Sequence, residues 1–340
     1  SLGTGVDPLE VIETKGADAL RYTLFSQTGL NQDIRYSERK TVDARNLCNK
    51  MWNASKFVLM YLDGPVGDRP ASLEEIDLWI LSRLATCEKQ VSEAIDGYDV
   101  QSATQALYQF FWAELCDWYI EIAKPRLQTD AQKTAPRWVL ATCLDAFLRL
   151  MHPVMPFITE EIYSTLPERK EGDFLMAAKW PEIDPNWLNP DLESRVNRWF
   201  ESVRAVRALR AEAGVTPKEV LPALFYEGDL AGGEDVVRSQ AWFQELKPGR
   251  GGDDLISTTV VGIDFHLSTA GLVDTEKEIA RLTKELEKTN DERDKLNRQL
   301  QNPQFVERAK PEVVEKLRVN VAELESRIAK NEERLAKLKS

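Results

Sequence analysis

Between Arg39 and Leu62 the apolar residues recur with helical spacing. At 100° per residue, Leu47, Cys48, Met51, Trp52, Val58, Leu59 and Leu62 gather on one broad side. That side is predicted core. The opposite side collects Arg39, Asp43, Asn46, Lys50, Asn53 and Phe57. Cations, amides and one aromatic ring thus share a face that should meet water. A flat partner gives such a ring a purpose, and stacking a nucleobase on it is worth about 1–3 kcal/mol. The plainer alternative is that Phe57 caps a neighbouring helix and the cations are merely solvated.

The same periodicity organises what surrounds this helix. Residues 1–36 begin as a glycine-marked loop. Asp7-Pro8 resembles an N-cap with proline at the first helical position, starting a short helix to Glu13. Asp18 opens a second helix with Leu20 and Leu24 inward. Residues 63–70 are turn-rich. A helix over 73–96 puts Ile76, Trp79, Ile80, Leu84 and Val91 inside. A long helix from Asp99 to Lys124 carries Leu107, Phe110, Phe111, Leu115, Trp118, Tyr119 and Ile122, and Pro125 should end it. Pro136 starts a helix to Leu150, and Pro156 precedes one to Leu166. Short loops between long amphipathic helices predict an antiparallel bundle over residues 37–190, whose last part, 167–190, is a connector.

Residues 191–213 are helical again. Arg204, Arg207 and Arg210 read as a solvated face, or as a basic edge touching phosphate. Then the period changes. Residues 220–226 and 255–267 read as strands, the second alternating Ile263, Phe265 and Leu267 against Gly262, Asp264 and His266. His266 faces outward with no evident partner and receives no chemistry. The stretches 228–235 and 247–254 read as loops. Residues 191–272 therefore form a small α/β subdomain. From 273 to 340 there are two heptad-like seams, Ile279–Leu300 interrupted by Thr289 and Arg293, and Leu317–Leu338 interrupted by Asn331. Pro303 and Pro311 force a turn between them, which gives an antiparallel coiled-coil hairpin. The fold class is mainly α.

Charge alters this picture locally. The 340 residues carry a net charge of −12, so nucleic-acid binding needs cationic patches. Six Lys or Arg (35, 39, 40, 45, 50, 56) against Glu38 and Asp43 form one. The hairpin tip, with Lys295, Arg298, Arg308, Lys310, Lys316 and Arg318, forms another. Four dispersed cysteines and two histidines make no metal-type pair, so no metal site is expected. No run of 18 apolar residues exists, which predicts no membrane span. The chain does not begin with Met, as expected of a piece of something longer.

The opening SLGTGVDPLEVIETKGADALRYTL and NQDIR at 31–35 resemble the stretch just after the Lys-Met-Ser-Lys-Ser signature of class I aminoacyl-tRNA synthetases, with Ser1 its last residue. RNLCNKMWNASKFVLMYL (45–62), CDWYIEIAKPRL (116–127) and HPVMPFITEEIY (152–163) resemble the branch that handles valine, isoleucine and leucine. GLVDTEKEIARLTKEL with NPQFVERAKPEVVEKL resembles the C-terminal arm of the valyl-tRNA synthetases.

The resemblance implies that the bundle is an anticodon-binding domain and the arm leans on the tRNA elbow. It implies Arg39 and Lys50 as readers of backbone and base edges and Phe57 as stacking platform. Ile120 would close the pocket from another helix, with Arg35 and Arg45 behind them. For the arm it implies Lys295, Arg298, Arg308, Lys310 and Arg318. It implies ATP with magnesium as cofactors of the whole enzyme and none here, and no catalytic residue in this stretch. The implied partner is tRNA(Val) rather than DNA or membrane, bound by a cytoplasmic monomer. The alternatives are an isoleucyl- or leucyl-tRNA synthetase fragment, which the arm argues against, and a non-catalytic coiled-coil adaptor.

Overall fold

The computed structural model describes residues 5–29, 34, 36–62, 64, 66–167, 169–252, 255–268 and 275–301, with backbone only for 275–282, and 317–322, 324–325, 328–329, 331–332 and 335–336. The chain divides into two compact units, Ser1–Glu201 with Leu230–Gln240, and Ser202–Asp229 with Ala241–Ser340.

The first unit is helical: α1 (Pro8–Lys15), α2 (Ala17–Phe25), α3 (Glu38–Leu59), α4 (Glu75–Asp96), α5 (Val100–Tyr108), a π-helical stretch (Gln109–Tyr119), α6 (Ile120–Leu127), α7 (Thr134–Met151) and α8 (Pro156–Ser164). Helix α9 (Pro190–Glu212) spans the division between the units, and α10 (Glu234–Gln240) groups with the first. Helix α4 packs on α5, the π stretch and α7, burying Ile76, Trp79, Ile80, Leu84 and Val91 as its spacing predicts. Phe111 stacks on Phe147 at 4.3 Å and Trp118 on Phe200 at 4.0 Å, so these rings are core.

The N-terminal expectations divide. Asp7 caps α1 with Pro8 at its first position, the carboxylate accepting from Leu9 N at 2.9 Å. In α2, however, Leu24 is exposed and the buried residues are Asp18, Ala19 and Thr23. The reason is non-local: Asp18 accepts from the backbone N–H groups of Phe157 (3.3 Å) and Ile158 (2.6 Å), satisfying the first turn of α8. Burial raises its carboxyl above the usual range, and these two hydrogen bonds partly offset that rise.

Two expectations about the long helix also change. Pro125 does not end it; the helix runs on to Leu127. The middle is π-helical, with i→i+5 bonding and wider turns. A pattern read at α spacing therefore slips in phase by the end of that stretch, and Ile120 rather than Ile122 is buried.

Where α4 meets α6, Asp77 is fully buried. It accepts from Tyr119 Oη at 2.7 Å, from Arg126 at 2.9 and 2.7 Å, and from the Glu74 backbone N–H at 3.0 Å. Burial first, and then the Asp77 charge, hold the Tyr119 phenol well above its ordinary pKa.

The second unit contains a four-stranded sheet of order β2-β1-β4-β3: β1 (Leu221–Glu227), β2 (Phe243–Pro248), β3 (Leu255–Val260) and β4 (Ile263–Ser268). Strands β1 and β2 are parallel; β4 runs antiparallel to both its neighbours. The single strand expected over 255–267 is thus a hairpin. Its turn is Val261-Gly262 at φ 47° and 77°, the primed geometry that matches strand twist. Strand β2 takes Lys247 and Pro248 from a predicted loop, and α10 takes Glu234 and Asp235 from the other. His266 is also corrected. It is buried, with Nδ1 at 2.7 Å from Ser257 Oγ and Nε2 at 3.2 Å from Glu227. Arg210 is no solvated residue either: it is 3% exposed and donates to the carbonyls of Trp242 and Glu219.

A β-branched residue at positive φ costs about 1–3 kcal/mol. Val261→Asn is therefore expected to stabilise the chain by about 1 kcal/mol, since Asn-Gly suits this turn; a higher urea midpoint at unchanged slope checks it.

Helix α11 (Thr275–Gln301) comes next, and helical residues resume at 317. Leu286 and Thr289 are buried on the first, and Val321, Leu324 and Ile328 on the second. These positions have the 3-4 spacing of a coiled-coil seam. Thr289 tolerates its seam position by donating its hydroxyl to Glu285 O at 2.8 Å. The turn between the two helices lies outside the described residues.

Candidate nucleic-acid interface

The outward line of α3 is as the spacing predicts. Leu47, Met51, Val58 and, just past the helix, Leu62 are buried on one side, with Ala44, Thr41 and Ser55 filling the stripe, whereas Cys48, Trp52 and Leu59, also expected in the core, are only half-buried. Arg39, Asp43, Asn46 and Asn53 are exposed, and Lys50 and Phe57 are half-buried. All six fall within about 40° of one line at helical spacing.

Each nominated side chain has a particular setting. Arg39 stands exposed in the first turn of α3. Lys50 Nζ lies 3.1 Å from Asp117 Oδ1 and 5.0 Å over the Trp112 ring, so it is held toward the π stretch. The Phe57 ring meets Tyr61 edge-on at 5.2 Å, and Lys124 Nζ sits 5.4 Å over it. A ring already under a cation is a ready place for a base with its phosphate close by.

Ile120 is corrected. It is 5% exposed and belongs to the core beneath this face, because the π stretch has turned it inward. The exposed Asp117 and Glu121 and the half-buried Lys124 form the adjoining surface. Arg45 is exposed but points to another flank, where it donates to Thr14 O at 2.9 Å. Arg35 lies outside the described residues. The face as a whole is less cationic than its count suggests, since Lys50 is paired with the Asp117 carboxylate.

Asp117, Lys124 and Trp112 are the residues that sequence reasoning missed here. Tyr108 and Trp112 fall four apart outside the buried set of their helix, and that spacing was the available signal.

On the arm, Lys295 and Arg298 are exposed on α11, three residues apart, and Arg318 is exposed on the second helix. Arg308 and Lys310, like Ser1, lie outside the described residues. Among the described residues no cluster of three or more His, Cys, Asp or Glu could hold a metal. No described helix is long and apolar enough to cross a membrane. The four cysteines are free thiols, three of them buried, and burial pushes Cys48 up to about 11 and Cys116 to about 12.

Comparison with known proteins supplies what geometry alone does not. Residues 77–225 match the anticodon-binding domain of tRNA ligase. Residues 274–339 match the valyl tRNA synthetase tRNA binding arm. The valine–tRNA ligase of Thermotoga maritima is 36% identical over 346 residues, covering 100% of this chain and 38% of that protein. The chain belongs to the valyl-tRNA synthetase family. Other members similar to it are those of Thermosynechococcus vestitus, 38% identical over 99% of this chain and 40% of that one, and Clostridium perfringens, 40% identical over 92% and 37%. The chain thus spans about two fifths of the length of the synthetases it matches. A solved LeuRS–tRNA–LeuAMS complex from Agrobacterium radiobacter shares 20% identity at a TM-score of 0.43, over 54% of this chain and 22% of that one. Within the synthetase chain, Trp112, Asp117 and Lys124 fall inside the matched anticodon-binding span, whereas α3 precedes it.

Proposed function

We propose that this chain is the tRNA-recognition part of a valine–tRNA ligase. The α3 face takes unpaired bases of the anticodon loop, and the arm takes backbone phosphate at the elbow of tRNA(Val). The observation that carries this reading is the straight outward line of Arg39, Lys50 and Phe57 on a helix whose other side is sealed in the core. Single-stranded RNA is read in this manner, by bases splayed onto rings and amides. The arm's exposed Lys295 and Arg298 supply positive charge three residues apart on one helix, as a backbone contact requires. Ligation of valine, with ATP and magnesium, is assigned to the remainder of the relatives' length, and the chain is read as acting in the cytoplasm as a monomer.

The test is binding of the 340-residue chain to tRNA(Val) and to other tRNAs over a salt series. Preference for valine isoacceptors is expected; a chain that ignores tRNA altogether is an adaptor and the reading fails. Lys295→Ala with Arg298→Ala is expected to weaken all tRNAs alike and to flatten the slope of log K against log salt by about two. An unchanged slope would remove these residues from the interface.

A further inference from the structure

A cleft of about 620 Å³ opens beside α3, between the end of α2, the first half of α3 and α5. At one side Tyr108 and Trp112 stack in parallel, with centroids 5.5 Å apart and planes at 16°. Tyr108 is 39% exposed, so the stacked pair can be reached from solvent. Gln105 and Asn46 bring amides, each both donor and acceptor. Lys40 lies on the lining with its ammonium on Gln27, and Lys50 stands over Trp112.

Asp43 decides what can enter. Its carboxylate is an acceptor only, and it lines the cleft together with Lys40. A phosphate inside would meet that charge, whereas the N–H edge of a base would be received by it. The field at the rings has the same sign: burial first, then Asp117 and Asp43, raise the Tyr108 phenol, and Lys50 only partly counters them. A flat, neutral, hydrogen-bond-donating guest fits, and its phosphates would remain outside near Lys40 and Lys50.

We infer that this cleft is a second base-binding site, in which an unpaired RNA base with an exocyclic amino group extends the Tyr108–Trp112 stack and donates to Asp43. It is distinct from the Phe57 platform. Asn46 and Phe57 are about 16 Å apart along the helix axis at 1.5 Å per residue, more than one base can bridge. The inference rests on the tRNA reading above and adds a second base to it.

The test uses the full chain and an RNA hairpin with the tRNA(Val) anticodon loop, with loop positions made abasic one at a time. Tyr108→Ala is expected to weaken hairpin binding about tenfold, and Tyr108→Phe, which keeps the stack, to stay within about twofold. One abasic position should cost the parent chain affinity and cost the Tyr108→Ala chain nothing further. That position should differ from the one silenced by Phe57→Ala. Far-ultraviolet circular dichroism confirms that each variant is folded. Unchanged binding by a folded Tyr108→Ala chain would overturn the inference while leaving the tRNA reading intact. So would the same loop position for both rings, or free cytidine monophosphate held as tightly as the hairpin. Failure of the unmodified chain to bind either hairpin or tRNA would overturn both.

Discussion

Replacing Asp77 with alanine is expected to destabilise the helical unit by about 3–5 kcal/mol, because it removes the buried partner of Arg126 and leaves that cation only the exposed Glu74, 3.2 Å from its Nε. Arg126 places two guanidinium nitrogens on this carboxylate, and Tyr119 and the start of α4 also depend on it. With Asp77 gone, four donor groups lose an acceptor that is itself fully buried. The double change Asp77→Leu with Arg126→Met should recover part of the loss, since no uncompensated charge remains. Urea unfolding followed by circular dichroism measures both. A loss under about 1 kcal/mol for the single change would mean that water reaches the guanidinium and that the carboxylate is not its necessary partner.

Phe57→Ala is expected to weaken tRNA(Val) binding by one to two orders of magnitude, the scale of about 1–3 kcal/mol for one base on one ring. Its stability cost should be about 1 kcal/mol or less, since the ring is only half-buried, beside Tyr61 and under Lys124. Fluorescence anisotropy of labelled tRNA and a thermal melt separate the two effects. A melt lowered by many degrees with binding intact would make Phe57 a structural ring, and the α3 reading would lose its central residue.

How much of the fold and the interface is legible in the sequence depends on how local the cause is. The core of α4 follows from spacing alone, and so does the centre of the α3 stripe, although Cys48, Trp52 and Leu59 are only half-buried and the small residues Thr41, Ala44 and Ser55 complete it. The Asp7-Pro8 start of α1 is legible as well, where cap and helix are adjacent. Asp18 escapes such reasoning because its partners are about 140 residues away. The hairpin of β3 and β4 is hidden because Val-Gly is not a strong turn signal, and alternation continues through it. Strand β2 is hard to see since its apolar residues are few and Pro248 sits at its end. At the candidate interface, the α3 residues come from one helix and are readable. Their neighbours Asp117, Trp112 and Lys124 come from another, and only packing brings the two together.

The π stretch ties several of these features to chain length. Tyr108 and Trp112 lie at its beginning, and Ile120, Lys124 and Arg126 come after it. Deleting one residue between them would let ordinary helical bonding return and turn everything downstream by about 100°. Lys124 would then leave Phe57, and Arg126 would swing off Asp77, though no side chain had been altered. The number of residues in that segment is therefore as much a determinant of the surface as their identity, and insertions or deletions there should be tolerated far less well than substitutions.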